Sequence, residues 1–188
     1  MSDDVLDPAL HLTKEHLETG LRGVPVGYCT TSSVEAERGL FYVGEPIAAI
    51  AERDPEDVMY LLLHQHWPEA AQRIAFRAQL RARQRVAPWV LDALAVLPRQ
   101  AQPMRWLLHA INALGMAETH ASDYRAAAMT LIAQMPVVVA AIIRLCSGWG
   151  APIAPQADLG FIENLVHMLG VPGHGASERA RLTRLLRV

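Results

Sequence analysis

Residues 126–143 form a run of eighteen residues without a charge, reading AAAMTLIAQMPVVVAAII. That length is near the lower limit for a membrane span, but Thr130, Gln134 and Pro136 interrupt the run. A helix that is apolar on every side is otherwise a central, fully buried helix. We therefore predict a buried helix over residues 122–146, bent at its proline, and no membrane span.

The composition favours closely packed helices. The chain has 188 residues, of which 52% are hydrophobic and only 6% aromatic, so aliphatic residues dominate the apolar content. Such a composition suits an all-α fold with one core. Seventeen basic residues oppose nineteen acidic ones, and this balance argues against a nucleic-acid-binding protein. The acidic N-terminus lacks the apolar stretch of a secretory signal, so we expect a cytoplasmic protein.

The organisation along the chain is predicted to be an arm followed by one domain. Residues 1–19 are polar and form the arm, and residues 20–188 form a single helical domain. The domain opens with a small β-hairpin over residues 20–46, in which strands at 24–26 and 40–43 are joined by a polar loop over 32–38. Such a hairpin is marginal alone and must lie against helices.

Helices are predicted over the remainder, residues 47–188. Proline and acidic residues mark several starts, most clearly at Asp54-Pro55, where Asp54 is the expected N-cap. Ser122 is the expected N-cap of the long apolar helix. The predicted helices cover residues 47–52, 55–66, 68–84, 88–97, 103–115, 122–146, 159–169 and 177–188, with a loop over 147–158. Ile74, Phe76 and Leu80 are expected to face inward, and Trp89, Val90, Leu94 and Val96 are expected to be apolar anchors. The helix at 103–115 holds the apolar residues Met104, Leu107, Leu108, Ile111 and Leu114.

The histidines give no convincing metal site. His64 and His66 are the only close pair, and an i, i+2 pair on a helix points in different directions. No Asp, Glu or Cys lies nearby at ligand spacing, so we interpret them as helix-end residues. Arg105, His109 and Asn112 share one helix face and are interpreted as a polar strip beside the core.

The remaining polar motifs also have structural interpretations. The glycine-rich segment 170–175 lacks the Lys and Ser or Thr of a phosphate-binding loop. Glu163 and Asn164 are interpreted as capping or packing residues. Cys29 and Cys146 form no metal or redox spacing and are expected to be reduced, buried thiols. We therefore predict no catalytic, cofactor-binding or metal-binding residue and no cofactor.

Several stretches together resemble one known family, the citrate synthases. Residues 39–47 (GLFYVGEPI) resemble its G-x-L-x-Y-R-G-Y-x-I segment, with Val43 in place of the usual Arg. Residues 57–68 (DVMYLLLHQHWP) resemble E-V-x-Y-L-L-L-x-G-x-L-P, but the usual Gly is absent. Further similar stretches are 20–24 (GLRGV), 102–104 (QPM), 113–115 (ALG), 135–144, 152–155 (PIAP) and 163–169 (ENLVHML).

The resemblance covers residues 20–170 and implies an N-terminal portion of the family's helical large domain. The family condenses an acyl-CoA with a 2-oxo acid, using two histidines and an aspartate that lie farther along its chain. The resemblance therefore implies that the catalytic half is absent and that this chain is inactive alone. It also implies a dimer through the helices at 103–115 and 122–146, where a symmetric apolar patch meets itself.

Two main hypotheses follow for the function. The chain is either a non-catalytic or regulatory subunit that pairs with itself or with a full-length citrate synthase paralogue, or a non-enzymatic scaffold that kept only the fold. A fragment of a longer enzyme is a third interpretation, and the initial Met favours a natural short gene over it. Uncovered apolar helix faces would favour the subunit hypothesis.

Overall fold

The computed structural model of the chain describes residues 13–20, 22, 27, 29–118 and 123–187. It divides into two compact units, residues 1–30 and residues 31–188. The described part of the first unit contains helix α1, Lys14–Glu18, whose start is capped reciprocally by Thr13 and His16. Residues 1–12 of the predicted arm and the predicted strand at 24–26 lie outside the described residues.

The described part of the second unit opens with a three-stranded antiparallel sheet. Its strands are β1 Ser32–Glu35, β2 Gly39–Tyr42 and β3 Glu45–Pro46, in spatial order β1-β2-β3. The predicted strand at 40–43 is thus confirmed, whereas the predicted loop at 32–38 is wrong for its first half. That half pairs with β2, with Ser33 opposite Phe41. Its side chains are largely exposed, so its polar sequence carries no alternation that would mark a strand.

Eight helices follow in the described residues, and the all-α prediction is confirmed. They are α2 Ile47–Ile50, α3 Pro55–His64, α4 Ala70–Arg83, α5 Pro88–Ala95, α6 Pro103–Ala117, α7 Tyr124–Ser147, α8 Phe161–Leu169 and α9 Ala176–Leu185. Proline occupies the first position of α3, α5 and α6, where its missing N–H costs no helical hydrogen bond.

Two predicted N-caps turn out differently. Asp54 precedes α3 but makes no side-chain capping bond; its Oδ2 accepts a hydrogen bond from Arg77 Nη2 at 2.9 Å. The Asp54 carboxylate therefore binds Arg77 on the neighbouring helix α4 and does not cap α3. At α7 the cap is Asp123, which accepts from the N–H groups of Arg125 and Ala126, while the predicted Ser122 lies outside the described residues.

The core is built around the second half of α7. Val138, Ala140 and Ala141 are at most 1% exposed, and α7 packs against α4, α5, α6 and α8. Small alanine side chains allow this close approach, and Trp106 of α6 and Met168 of α8 fill the space between the helices. The prediction of full burial is wrong for the first half of α7. Met129 and Ala133 are buried there against Tyr60 and Phe76, but the other residues from 124 to 135 are partly or fully exposed.

The chain leaves several predicted core residues uncovered. Phe76, Leu80, Val90, Leu94 and Leu114 are buried as predicted, and Leu107 is partly buried against the same core. The inward prediction is wrong for Ile74, and the predicted apolar anchors Trp89 and Val96 are exposed. Met104, Leu108 and Ile111 of α6 are exposed as well. These helices carry more apolar surface than the described residues of this chain cover.

Helix α7 was the subject of two predictions, that it does not span a membrane and that it bends at Pro136. It is the one described helix that is long and apolar enough to cross a membrane by length and composition. This is weak evidence, because the core helix of a soluble protein passes the same test, and α7 packs against four other helices. Pro136 lies buried within the unbroken helix, and the predicted bend there stays a prediction.

Candidate interaction surface

An exposed apolar surface runs along the outer sides of α6 and α7. We call it the α6–α7 face and define it by Met104, Leu108, Ile111, Tyr124 and Leu131, all of which are exposed. Positions 104, 108 and 111 lie three and four residues apart, so they share one side of α6. Met104 and Leu108 are 70% and 62% exposed. Such a concentration of large exposed apolar side chains marks an interaction site.

A groove lies within this face. Its volume is about 460 Å³, and it opens between the C-terminal half of α6 and the N-terminal half of α7. Ile111 lines it from α6, and Ala127, Ala128 and Leu131 line it from α7. Gln134 closes one end, where its Nε2 donates to the carbonyl of Arg85 at 2.9 Å. The groove is mostly apolar and suits side chains of another protein segment.

The predicted polar strip flanks the same face. Arg105, His109 and Asn112 are all exposed on α6, and none of their side chains forms a hydrogen bond or ion pair with a described residue. The strip therefore brings together no acid, base and substrate-binding group. It forms a polar rim beside an apolar centre, as protein interfaces commonly have.

The histidine pair lies at the end of α3, as predicted. The His64 ring stacks on Tyr60 with centroids 4.1 Å apart, and His66 meets Tyr60 edge-on. Burial against these rings lowers the pKa of His64, and the nearby His66 and Arg125 lower it further. Such a shift keeps the imidazole neutral at neutral pH. No group of three His, Cys, Asp or Glu side chains among the described residues could hold a metal ion.

Glu163 and Asn164 both have structural contacts, in line with the predicted capping or packing role. Glu163 Oε2 accepts from the Gly160 N–H at 3.0 Å at the start of α8. Asn164 is 1% exposed; its Oδ1 accepts from the Gln156 N–H at 2.9 Å, and its Nδ2 donates to the Gln156 carbonyl at 2.8 Å. The Asn164 amide thus holds the loop after α7 much as a neighbouring strand would.

Arg144 is a buried residue whose role the sequence did not indicate. It is 7% exposed, and no carboxylate pairs with it among the described residues. Its guanidinium donates to four main-chain carbonyls: Ala151 at 2.8 Å, Leu169 at 2.8 Å, Gly170 at 3.1 Å and Trp149 at 2.7 Å. The last carbonyls of a helix lack partners within it and carry partial negative charge. Arg144 therefore joins the ends of α7 and α8.

The glycine-rich segment 170–175 and the two cysteines are separate features with separate surroundings. Gly170 ends α8 with φ +48°, and a Cβ there would collide with Ile153 and Arg144, so the glycine serves close packing. Cys146 is partly buried, and burial raises the pKa of its thiol. The prediction of burial is wrong for Cys29, which is exposed, because it lies in the first, small unit.

Comparisons with known proteins agree with one another. A family model described as the C-terminal domain of citrate synthase matches residues 20–188. A 2-methylcitrate synthase of Mycobacterium tuberculosis is 36% identical over 157 residues, which are 81% of this chain and 40% of that protein. A citrate synthase of Deinococcus radiodurans is 29% identical over 174 residues, covering 89% of this chain and 46% of that protein.

A solved structure is similar in fold. The citrate synthase of Thermoplasma acidophilum, in a ternary complex with carboxymethyl coenzyme A and oxaloacetate, matches 90% of this chain and 46% of that chain, with a TM-score of 0.78 and 18% identity. At that identity the match shows the fold alone. The resemblance predicted from the sequence is confirmed, and the chain spans less than half the length of the curated relatives it matches.

Proposed function

Since this chain belongs to the citrate synthase family, we propose that it is a non-catalytic subunit that pairs through the α6–α7 face. The observation that carries the proposal is the exposure of Met104 and Leu108, each more than 60% exposed on the same side of α6. Burying apolar surface is the main favourable term in protein association. A second copy or a full-length family member would supply the missing cover, and the same face would meet itself across a two-fold axis.

The absence of catalysis is the second part of the proposal. We propose that residues 20–188 correspond to the N-terminal portion of the family's large domain, which carries neither the two histidines nor the aspartate of its reaction. The polar groups described above support this, because Arg144, Glu163 and Asn164 are all engaged in contacts that hold helices and loops. The subunit would act in the cytoplasm, with α7 packed against helices instead of lipid.

Light scattering after size-exclusion chromatography tests the pairing. We expect the wild-type chain to form a dimer and Leu108→Glu to form a monomer, since a carboxylate at the centre of an apolar interface loses its hydration. Val96→Glu is the matched control, because Val96 is 82% exposed but lies directly after α5, outside the face. A wild-type monomer at tens of micromolar, or equal behaviour of the two variants, would contradict the proposal.

A thiol-release assay with acetyl-CoA and oxaloacetate tests the lack of catalysis. We expect no turnover by the isolated chain, and measurable turnover would overturn this part of the proposal. The same assay on a mixture with a purified citrate synthase from the same source tests the regulatory role. A changed rate, with a mixed dimer on the column, supports it. Self-association without any effect on that enzyme favours a scaffold that kept only the fold.

A further inference from the structure

A second cavity, of about 470 Å³, lies beside the loop that follows α7. It is lined by the end of α4, the link from α4 to α5, the middle of α5, the middle of α7 and the loop after α7, and it shares no lining residue with the groove in the α6–α7 face. Its apolar lining is formed by Val86, Leu91, Val137, Pro152, Ile153 and Pro155. Its volume is within the range of small-molecule sites, which is roughly 300–1,000 Å³.

The loop wall of this cavity is held in place. Asn164 binds both main-chain groups of Gln156, at 2.9 and 2.8 Å, and Arg144 binds the carbonyl of Ala151 at 2.8 Å. Residues 152–155 run between these two anchors and form most of the loop wall. A wall that is ordered before binding reduces the entropy that a ligand must lose with it.

The polar side chains of the cavity are two arginines and two glutamines, Arg81, Arg85, Gln84 and Gln156. Arg81 and Arg85 line it, both are exposed, and neither forms an ion pair with a described residue. Gln84 between them is only 6% exposed; its Oε1 accepts from Asn164 Nδ2 at 3.5 Å, and its Nε2 donates to no described residue. No carboxylate lies in the lining, so the cavity is complementary to an anionic group.

The kind of apolar side chains in the lining indicates which class of anionic ligand fits the cavity. Its apolar side chains are aliphatic, and the lining contains no Phe, Tyr or Trp ring on which a flat ligand could stack. Aliphatic walls pack well against a flexible alkyl chain, which gains about 0.8 kcal/mol for each buried methylene. The cavity therefore combines a cationic end with an aliphatic body.

We propose that this cavity binds a medium-chain alkyl carboxylate. The carboxylate lies between the guanidinium groups of Arg81 and Arg85, and Gln84 Nε2 is an additional donor. The alkyl chain lies against Val137 and Ile153. This site is independent of the pairing and of the lack of catalysis proposed above, because it uses none of the residues of the α6–α7 face.

Calorimetric titration of the full chain with octanoate tests the proposal. We expect saturable binding of one octanoate per chain, and octanamide should bind at least about tenfold more weakly because charge-assisted hydrogen bonds are lost. Methyl NMR spectra should show the largest shifts at Val86, Leu91, Val137 and Ile153. Absence of saturable heat at millimolar octanoate, equal binding of octanamide, or shifts centred on Leu108 would each overturn the proposal.

A charge-matched pair of variants completes the test. Arg81→Gln with Arg85→Gln removes both guanidinium groups, and Arg179→Gln with Arg181→Gln removes two exposed ones on α9. We expect the first pair to bind octanoate about tenfold or more weakly and the second to bind like the wild type. Circular dichroism verifies that both pairs are folded. Equal affinities of the two pairs would show that the carboxylate is not held at Arg81 and Arg85.

Discussion

Two described residues other than glycine occupy the left-handed region of backbone conformation. Val43 has φ +51° and Gln65 has φ +62°. Both are positions at which the chain departs from the family pattern that it resembles: Val43 replaces an Arg, and Gln65 stands where the pattern has Gly. The missing glycine was visible in the sequence, but the strained conformation was not, because only the structure shows that α3 ends in a left-handed cap at Gln65.

Gln65→Gly is predicted to stabilise the protein. Glycine adopts the left-handed region without steric cost, whereas another L-residue loses roughly 1 kcal/mol there. Urea unfolding should therefore show a free energy of unfolding higher by about 1 kcal/mol. Gln79→Gly is the control, since Gln79 is exposed within α4 and the same change there should lose about 1 kcal/mol. If both substitutions raised the free energy of unfolding, or both lowered it, this explanation would be contradicted.

Arg144→Ala is predicted to lower the free energy of unfolding, whereas Gln65→Gly should raise it. Arg144→Ala leaves four buried or partly buried carbonyls without their donor, and we expect a loss of roughly 3 kcal/mol in the free energy of unfolding. The exposed Arg179 on α9 provides the comparison, because Arg179→Ala should change stability by less than about 0.5 kcal/mol. Equal urea midpoints for the two variants would show that the carbonyl contacts contribute nothing.

At the level of elements, the sequence predicted the helices well and their buried faces less well. Proline starts and glycine ends act locally, so the predicted helices match α2 to α9 closely. Which face is covered depends on neighbours far away in the chain, so Ile74 and Val96 were wrongly expected inside. Strand β1 was not predicted for the same reason. Its extended conformation depends on pairing with β2, and its own polar residues give no strand pattern.

The two apolar sides of α4 provide a direct test of this distinction. Leu80 is 2% exposed and Ile74 is 70% exposed. We expect Leu80→Ala to lower the free energy of unfolding by about 2–5 kcal/mol through the cavity it leaves, and Ile74→Ala to change it by less than about 0.5 kcal/mol. Urea unfolding followed by circular dichroism measures both. A large loss for Ile74→Ala would indicate that a partner covers this side of α4.

At the scale of the whole molecule, the sequence indicated the helices of the α6–α7 face but not the contacts of Arg144 and Asn164 or the second cavity. An uncharged run as long as residues 126–143 is visible in the sequence alone. The contacts of Arg144 and Asn164 depend on the path of the loop after α7, which has no periodicity to read. The cavity beside that loop could therefore be found only in three dimensions.

Thermal unfolding should depend on protein concentration if the α6–α7 face is covered by a second copy. Association with the folded state raises its stability by mass action, so the melting temperature of the wild type should rise with concentration. That of Leu108→Glu should stay constant. Differential scanning fluorimetry over a hundredfold dilution series measures both. A wild-type melting temperature that does not change would contradict self-pairing.

The contacts of Arg144 also determine how the molecule should respond to salt. Asp57 joins α3 to α4 through an ion pair with Arg73, at 2.8 and 2.9 Å, and dissolved ions screen such a pair of opposite charges. The acceptors around Arg144 are neutral peptide carbonyls, and Arg144 itself is 7% exposed. Added salt should therefore weaken the link between α3 and α4 and leave the junction of α7 and α8 intact, a difference that amide hydrogen exchange of the two helix pairs would measure.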